Sequence, residues 1–228
     1  MNWRGTLALT CLLYQGAAIA EMSGSVSLVS DYRFRGVSLT GNRPALQAGL
    51  AFDHLSGAYA GIFLSNVEFA DQPAGTLQFV GYGGYAQRLV SGIAIDVGAT
   101  VSSYSDGHAY NYAEVYGGIA FEGMSARLAY APRYFGQQGS AVYVELNGSR
   151  PLHGSVSIVA HAGLLHNEDG TAANGARCIV DGRVGIAFDF SVATIRVEYV
   201  GVSAVGASYP LSGSEKRSAI VLTLSRAY

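Results

Sequence analysis

The chain has 228 residues, of which 50% are hydrophobic and only 13% charged, and its formal net charge is −2. Soluble domains carry about 25% charged residues, so this chain has too few charges to clothe an ordinary solvated surface. Its hydrophobicity excludes a disordered linker protein and its slight acidity a nucleic-acid partner, which leaves a packed or membrane-embedded structure.

In chain order, Arg4 precedes the apolar stretch Leu7 to Leu13 and the small-x-small triplet Ala18-Ile19-Ala20. This is the pattern of a secretory signal, so residues 1–20 are expected to be a signal peptide cleaved before Glu21, leaving residues 21–228 as one barrel domain. Cys11 would leave with the signal. Cys178 would then stand alone, which rules out an intrachain disulfide. No later apolar stretch approaches the 18 or so residues of a spanning helix.

The mature chain instead alternates with period two, the mark of strands with two unlike faces. Val26 and Leu28 alternate with Ser25 and Ser27, and Leu46, Ala48, Leu50 and Phe52 with Gln47, Gly49 and Asp53. Later examples are Ile93, Ile95 and Val97 against Asp96 and Gly98, then Val142, Val144 and Leu146 against Tyr143, Glu145 and Asn147. The pattern predicts strands at 24–35, 44–54, 58–67, 76–88, 93–104, 109–121, 124–134, 141–148, 155–165, 178–189, 192–202 and 217–228. In the third, both faces carry bulky apolar residues, so periodicity does not say which points outward.

The connections alternate in length. Leu55–Gly57, Leu89–Gly92, Glu122-Gly123, Ser149–Gly154 and Phe190-Ser191 are tight; between them lie segments that are on the whole longer and richer in Gly, Ser, Asn and Asp. Short turns on one side and long loops on the other are the signature of an up-and-down outer-membrane barrel. The less apolar face is largely Gly, Ser, Ala, Thr and Tyr, too sparsely charged for a solvated exterior. Charges on a lipid face would cost about 2–4 kcal/mol at mid-membrane, so they are expected in the lumen. The fold class is therefore all-β, a single antiparallel transmembrane β-barrel of twelve strands.

Aromatic residues gather at segment ends (Tyr32, Phe34, Phe52, Tyr104, Tyr130, Tyr134, Tyr199, Tyr228), as interfacial girdles would require. At the C-terminus Ile220, Leu222, Leu224 and Tyr228 alternate and end on an aromatic, the arrangement by which outer-membrane barrels engage their assembly machinery; Arg226 interrupts it.

The run Val29-Ser30-Asp31-Tyr32-Arg33-Phe34-Arg35-Gly36-Val37-Ser38, followed by Pro44-Ala45-Leu46-Gln47, resembles the TorF-type porin family of Gram-negative bacteria, long catalogued as a conserved protein of unknown function. Ser65-Asn66-Val67, Tyr82-Gly83-Gly84-Tyr85, Asp96-Val97-Gly98 and Asn111 to Gly118 extend the likeness over essentially the whole mature chain. The resemblance implies an outer-membrane barrel and carries over no catalytic residue.

The pore-lining candidates are Asp31, Arg33, Arg35, Asp53, Asp96, Glu114, Arg127, Glu145, Asp181, Arg183, Arg196 and Glu198. Asp31, Arg33 and Arg35 are spaced to share one strand face, either as a charged ring that sets selectivity or as a salt-bridge ladder. Signs nearly balance, so strong ion selectivity is not expected. Catalysis is disfavoured: His161 and Ser157 share a face but stand about 13 Å apart along a strand. His161 reads as a lone lumen histidine and Cys178 as a small strand residue. The loop from His166 to Gly170 lacks the spaced oxygen ligands of a calcium loop. The expectation is a porin-like channel for passive diffusion of small hydrophilic solutes or ions in the outer membrane, without metal, cofactor or reaction. Its partners would be outer-membrane lipid and the assembly machinery. The competing reading is a plugged barrel acting as a structural or surface-binding protein.

Overall fold

The computed structural model describes residues 21–69, 75–168, 177–204 and 216–228. The expected signal peptide lies outside the described residues, as do Asp169 and Gly170 of the acidic loop.

Twelve antiparallel strands close into a barrel: β1 (Glu21–Val29), β4 (Ala45–Asp53), β5 (Ala58–Asn66), β6 (Leu77–Arg88), β7 (Ala94–Tyr104), β8 (Tyr112–Phe121), β9 (Met124–Ala131), β10 (Ala141–His153), β11 (Val156–Asn167), β12 (Cys178–Asp189), β13 (Thr194–Val202) and β14 (Ser218–Ala227). A small hairpin, β2 (Arg33–Phe34) and β3 (Val37–Ser38), lies apart from the barrel sheet. Each strand pairs with its sequence neighbour in the barrel, and the seam joins β1 to β14 with Ser25 opposite Ala227 and Val29 opposite Thr223. Beyond that ladder, Gly24 and Tyr228 exchange both backbone hydrogen bonds. Closure of this kind leaves no free edge, so every spanning backbone group can be satisfied in lipid.

The outer wall is apolar. Leu28, Leu50, Ile62, Val97, Val115, Leu128, Leu146, Val184, Val197 and Leu222 all point outward and stay exposed, which is stable only against lipid. In β5 the outward residues are Ala58, Ala60 and Ile62, while Tyr59 and Ser65 are buried inward; this settles the face that periodicity left open. The inner wall uses glycine as space. Tyr59 pairs with Gly84 and Tyr116 with Gly98 across neighbouring strands, and a Cβ on Gly98 would fall 2.5 Å from the Tyr116 hydroxyl.

Four strands, the first, sixth, seventh and eighth, depart from expectation by three residues or more at an end, and local contacts account for the main changes. The first strand stops at Val29 rather than residue 35, because Asp31 turns the chain: its carboxylate accepts from Arg33 Nε at 2.6 Å and from Ser38 Oγ at 2.5 Å. Asp31, Arg33 and Arg35 therefore do not share a strand face. The sixth begins at Tyr112 because His108–Tyr110 forms a 3-10 turn, and the seventh ends at Ala131, short of another at Tyr134–Gly136. The eighth runs on to His153, pairing with β11 through an irregularity between Pro151 and His153.

The hairpin β2–β3 folds inward. Arg35 (φ 50°) and Gly36 (φ 78°) form its two-residue turn, both in the left-handed region that this tight hairpin requires. It places Gly36 against Asp181 and Val202 of the barrel wall. Above it, at the long-loop end, Val37, Leu39, Val67, Phe69, Tyr104, Tyr134 and Phe135 form an apolar core inside the barrel mouth. Phe69 packs on Tyr104 at 4.9 Å between ring centroids, and Phe135 on Tyr112 at 4.9 Å. Tyr32, Phe34, Tyr104 and Tyr134 belong to or pack against this core and not to a lipid-facing girdle; of the aromatics expected at the interface, Phe52, Tyr130, Tyr199 and Tyr228 do face outward.

Candidate functional site: the barrel lumen

Beneath the aromatic core the lumen holds a cavity of about 300 Å³ to which all twelve barrel strands contribute. Its two sides differ in chemistry. From β14, β1, β4, β5 and β6 come Val221, Thr223, Ser225, Ser27, Val29, Gln47, Phe63, Gln78 and Val80, none of them charged. From β8 to β13 come Glu114, Arg127, Glu145, His161, Asp181, Arg183, Arg196 and Glu198, and the inward hairpin region adds Asp31, Arg33 and Arg35.

Among the twelve sequence candidates, Asp53 and Asp96 do not line this cavity. Asp53 ends β4 opposite Glu21, at the short-turn end. Asp96 accepts from Tyr59 Oη at 2.5 Å and from Arg127 Nη2 at 2.8 Å, and the Tyr59 hydroxyl lies 2.6 Å from that of Tyr116.

The hairpin consumes its own charges. Arg33 is nearly buried against Asp31, and its Nη groups donate to the Gly36 carbonyl, the Lys216 carbonyl and Asn42 Oδ1. Arg35 reaches Glu114 on β8 at 2.7 Å, both side chains less than a tenth exposed. Its guanidinium also lies over the rings of Tyr143 (4.1 Å), Phe34 (4.8 Å) and Tyr134 (5.0 Å), an aromatic cage of the kind that holds a cation. Burial pushes the Tyr32 phenol well above its ordinary range, so its hydroxyl adds no charge beside the Asp31–Arg33 pair.

A second cluster escapes sequence reasoning. His161 is not alone: its Nε2 stands 2.9 Å from Asp181 Oδ1 and its Nδ1 2.8 Å from Asn147 Oδ1, while the Tyr143 hydroxyl donates to Asp181 Oδ2 at 3.0 Å. These residues come from three adjacent strands, and only register brings them together; no spacing in the sequence signals it. The inward hairpin did leave a signal, since Arg35-Gly36 between Phe34 and Val37 has the form of a two-residue turn. On β12 and β13, by contrast, Arg183 and Arg196 approach Glu198 only to 3.8 and 3.9 Å. Cys178 is exposed, its Sγ 3.3 Å from His166 Nδ1. No group of His, Cys, Asp and Glu able to hold a metal occurs among the described residues.

Comparison with known proteins bears on fold and family. A family model described as a bacterial protein of unknown function (Gcw_chp) matches residues 14–227, in keeping with the unknown function under which the resembled family was catalogued; it carries no TorF designation. No curated protein matches by sequence. Among solved structures the barrel is similar to the NanC porin (TM-score 0.60, 10% identity, covering 91% of this chain and 98% of that one). It is also similar to the KdgM porin (0.55, 12%, 90% and 98%) and to an outer membrane channel from Pseudomonas putida F1 (0.55, 13%, 94% and 98%). At such identities the likeness is one of fold: an outer-membrane β-barrel.

Proposed function

Since the chain belongs to the Gcw_chp family of bacterial proteins of unknown function, we propose its role from the lumen itself: a porin-like channel of the Gram-negative outer membrane, passing small hydrophilic solutes by diffusion without a chemical step. The observation that carries this reading is the cavity bounded by every barrel strand, with a continuous neutral wall rich in hydroxyl and amide side chains. Such a wall offers a passing solute replacement hydrogen bonds without a charge to trap it. Among the cavity-lining residues, Asp31, Glu114, Glu145, Asp181 and Glu198 balance Arg33, Arg35, Arg127, Arg183 and Arg196, which makes ion selectivity weak. In this reading residues 1–20 direct export and the terminal strand engages the assembly machinery.

The inward hairpin and the aromatic core favour a second reading, a plugged barrel serving as a structural or surface-binding protein. Planar-bilayer recording of the purified, refolded chain separates the two. Stepwise unitary conductance supports the channel. A folded barrel that inserts yet never conducts, at any voltage tolerated by the bilayer, supports the plug.

A further inference from the structure

Among the described residues the lumen has three tight arginine–carboxylate pairs, Arg33–Asp31 at 2.6 Å, Arg35–Glu114 at 2.7 Å and Arg127–Asp96 at 2.8 Å. All have the length of charge-assisted hydrogen bonds. Arg183 and Arg196 are different. They share one carboxylate, Glu198, at 3.8 and 3.9 Å, about 1 Å beyond that length. Arg196 is about nine-tenths buried, and its Nε finds no hydrogen-bond partner among the described residues. Burying a guanidinium with a donor unmet is costly unless something supplies the acceptor.

The neighbouring strands supply neutral hydroxyls, which can donate to an anion but bring no charge of their own. Thr223 on β14 lies directly opposite Arg196 in register. Ser225 and Ser27, themselves register partners across the seam, line the same cavity. The two carboxylates of β12 are engaged elsewhere: Asp189 accepts from Thr194 Oγ1 at 2.7 Å, and Asp181 is held by His161 and Tyr143. Two guanidinium groups with one distant carboxylate, flanked by hydroxyls and open to the cavity, form a site short of one negative group.

We propose that Arg183 and Arg196 form an oxyanion-binding site in the lumen, taking the carboxylate or phosphoryl group of a small solute. The solute's oxygens accept from both guanidinium groups and from the Thr223 hydroxyl, while Glu198 acts as the internal counter-ion between occupancies. Its loose contacts let each arginine turn toward an arriving anion without first breaking a short ion pair. The site deepens the channel reading by naming a solute class, and rests on that reading only in needing water access to the lumen.

The test uses the full chain refolded in detergent, titrated calorimetrically at low ionic strength with inorganic phosphate and, separately, with acetate, one probe for each oxyanion group. At least one is expected to bind saturably. Arg183→Gln should weaken binding by roughly tenfold, the loss of one charge-assisted hydrogen bond, and Glu198→Gln should strengthen it by removing the competing carboxylate. Heat-modifiable gel migration confirms that each variant is folded, and Glu198→Gln keeps the test decisive if Arg183→Gln is not. No saturable binding of either anion by folded wild type, or binding that Glu198→Gln leaves unchanged, overturns the proposal. Chloride conductance without anion binding sinks the site and spares the channel; anion binding without conductance does the reverse.

Discussion

Arg35 and Glu114 are joined at 2.7 Å across 79 residues of sequence, and this contact ties the inward hairpin to the barrel wall. Removing either partner leaves a buried charge unmatched, at a cost of about 3–5 kcal/mol. Arg35→Ala is therefore expected to release the hairpin from β8 while the barrel stays closed. Single-channel recording should show a larger and noisier conductance than wild type. Arg35→Lys should recover only part of the wild-type behaviour, because an ammonium keeps the charge but not the flat stacking among three rings. A mutant trace indistinguishable from wild type would remove the hairpin from the permeation path.

Phe135 offers an independent handle on the same mouth. It is 1% exposed and holds φ 50°, a left-handed conformation unfavourable for a bulky residue. Its ring packs on Tyr104, Tyr112 and Tyr134, contacts that favour this conformation. Phe135→Ala should lower the stability of the loop core by roughly 3–5 kcal/mol, seen as faster proteolysis of the long-loop end in folded, detergent-solubilised protein. Protease resistance equal to wild type would mean that the core does not depend on this ring.

Gly98 tests the inner wall. A side chain there would meet the Tyr116 hydroxyl and the Gly83 carbonyl, so Gly98→Val should cost about 1–3 kcal/mol by overpacking. The urea midpoint of the folded barrel should drop. Gly148, where an added Cβ meets nothing within 4 Å, provides the control: Gly148→Ala should leave the midpoint nearly unchanged.

The seam suggests a fourth experiment. Tyr228 shares two backbone hydrogen bonds with Gly24, and its ring lies under the Arg226 guanidinium at 4.9 Å. Deleting Tyr228 removes the last rung of the β1–β14 seam and the aromatic end of the outward ladder. Outer-membrane levels of the protein should fall, with unfolded or degraded chain in the periplasm. Unchanged membrane abundance across several expression levels would show that this rung is dispensable.

Strand number and facing were legible because they derive from a property each strand carries alone. Lipid outside and water inside impose a period of two, and Leu46, Leu50 and Phe52 record it without reference to any other strand. The exception, β5, needed its neighbours: only the register against Gly84 and Tyr82 places Tyr59 and Gly61 inward. The hairpin was missed for a different reason, its Arg35-Gly36 turn signal being masked by the alternation around it. Asp31, Arg33 and Arg35 alternate as a strand would, and the contacts that bend them away involve Ser38, Glu114 and Tyr143, which are local to the fold and not to the spacing. The Tyr143–His161–Asp181 cluster and the loose Arg183–Glu198–Arg196 group likewise exist only once β10 to β13 are in register.

The division of the cavity into a neutral and a charged side fixes more than its polarity. On the charged side acidic and basic groups lie close together, as with Arg35 and Glu114 or Arg127 opposite Glu145, so over most of the wall their potentials largely cancel beyond a short distance and the field decays steeply toward the neutral side. A molecule in the cavity thus experiences a transverse gradient with almost no net potential. Such a gradient acts weakly on where a simple ion goes but strongly on how a molecule with a large dipole moment turns. If the barrel conducts as proposed, zwitterions enter lying along the charged side, each end facing a side chain of opposite sign, and their passage depends on molecular length and internal charge separation more than on total charge.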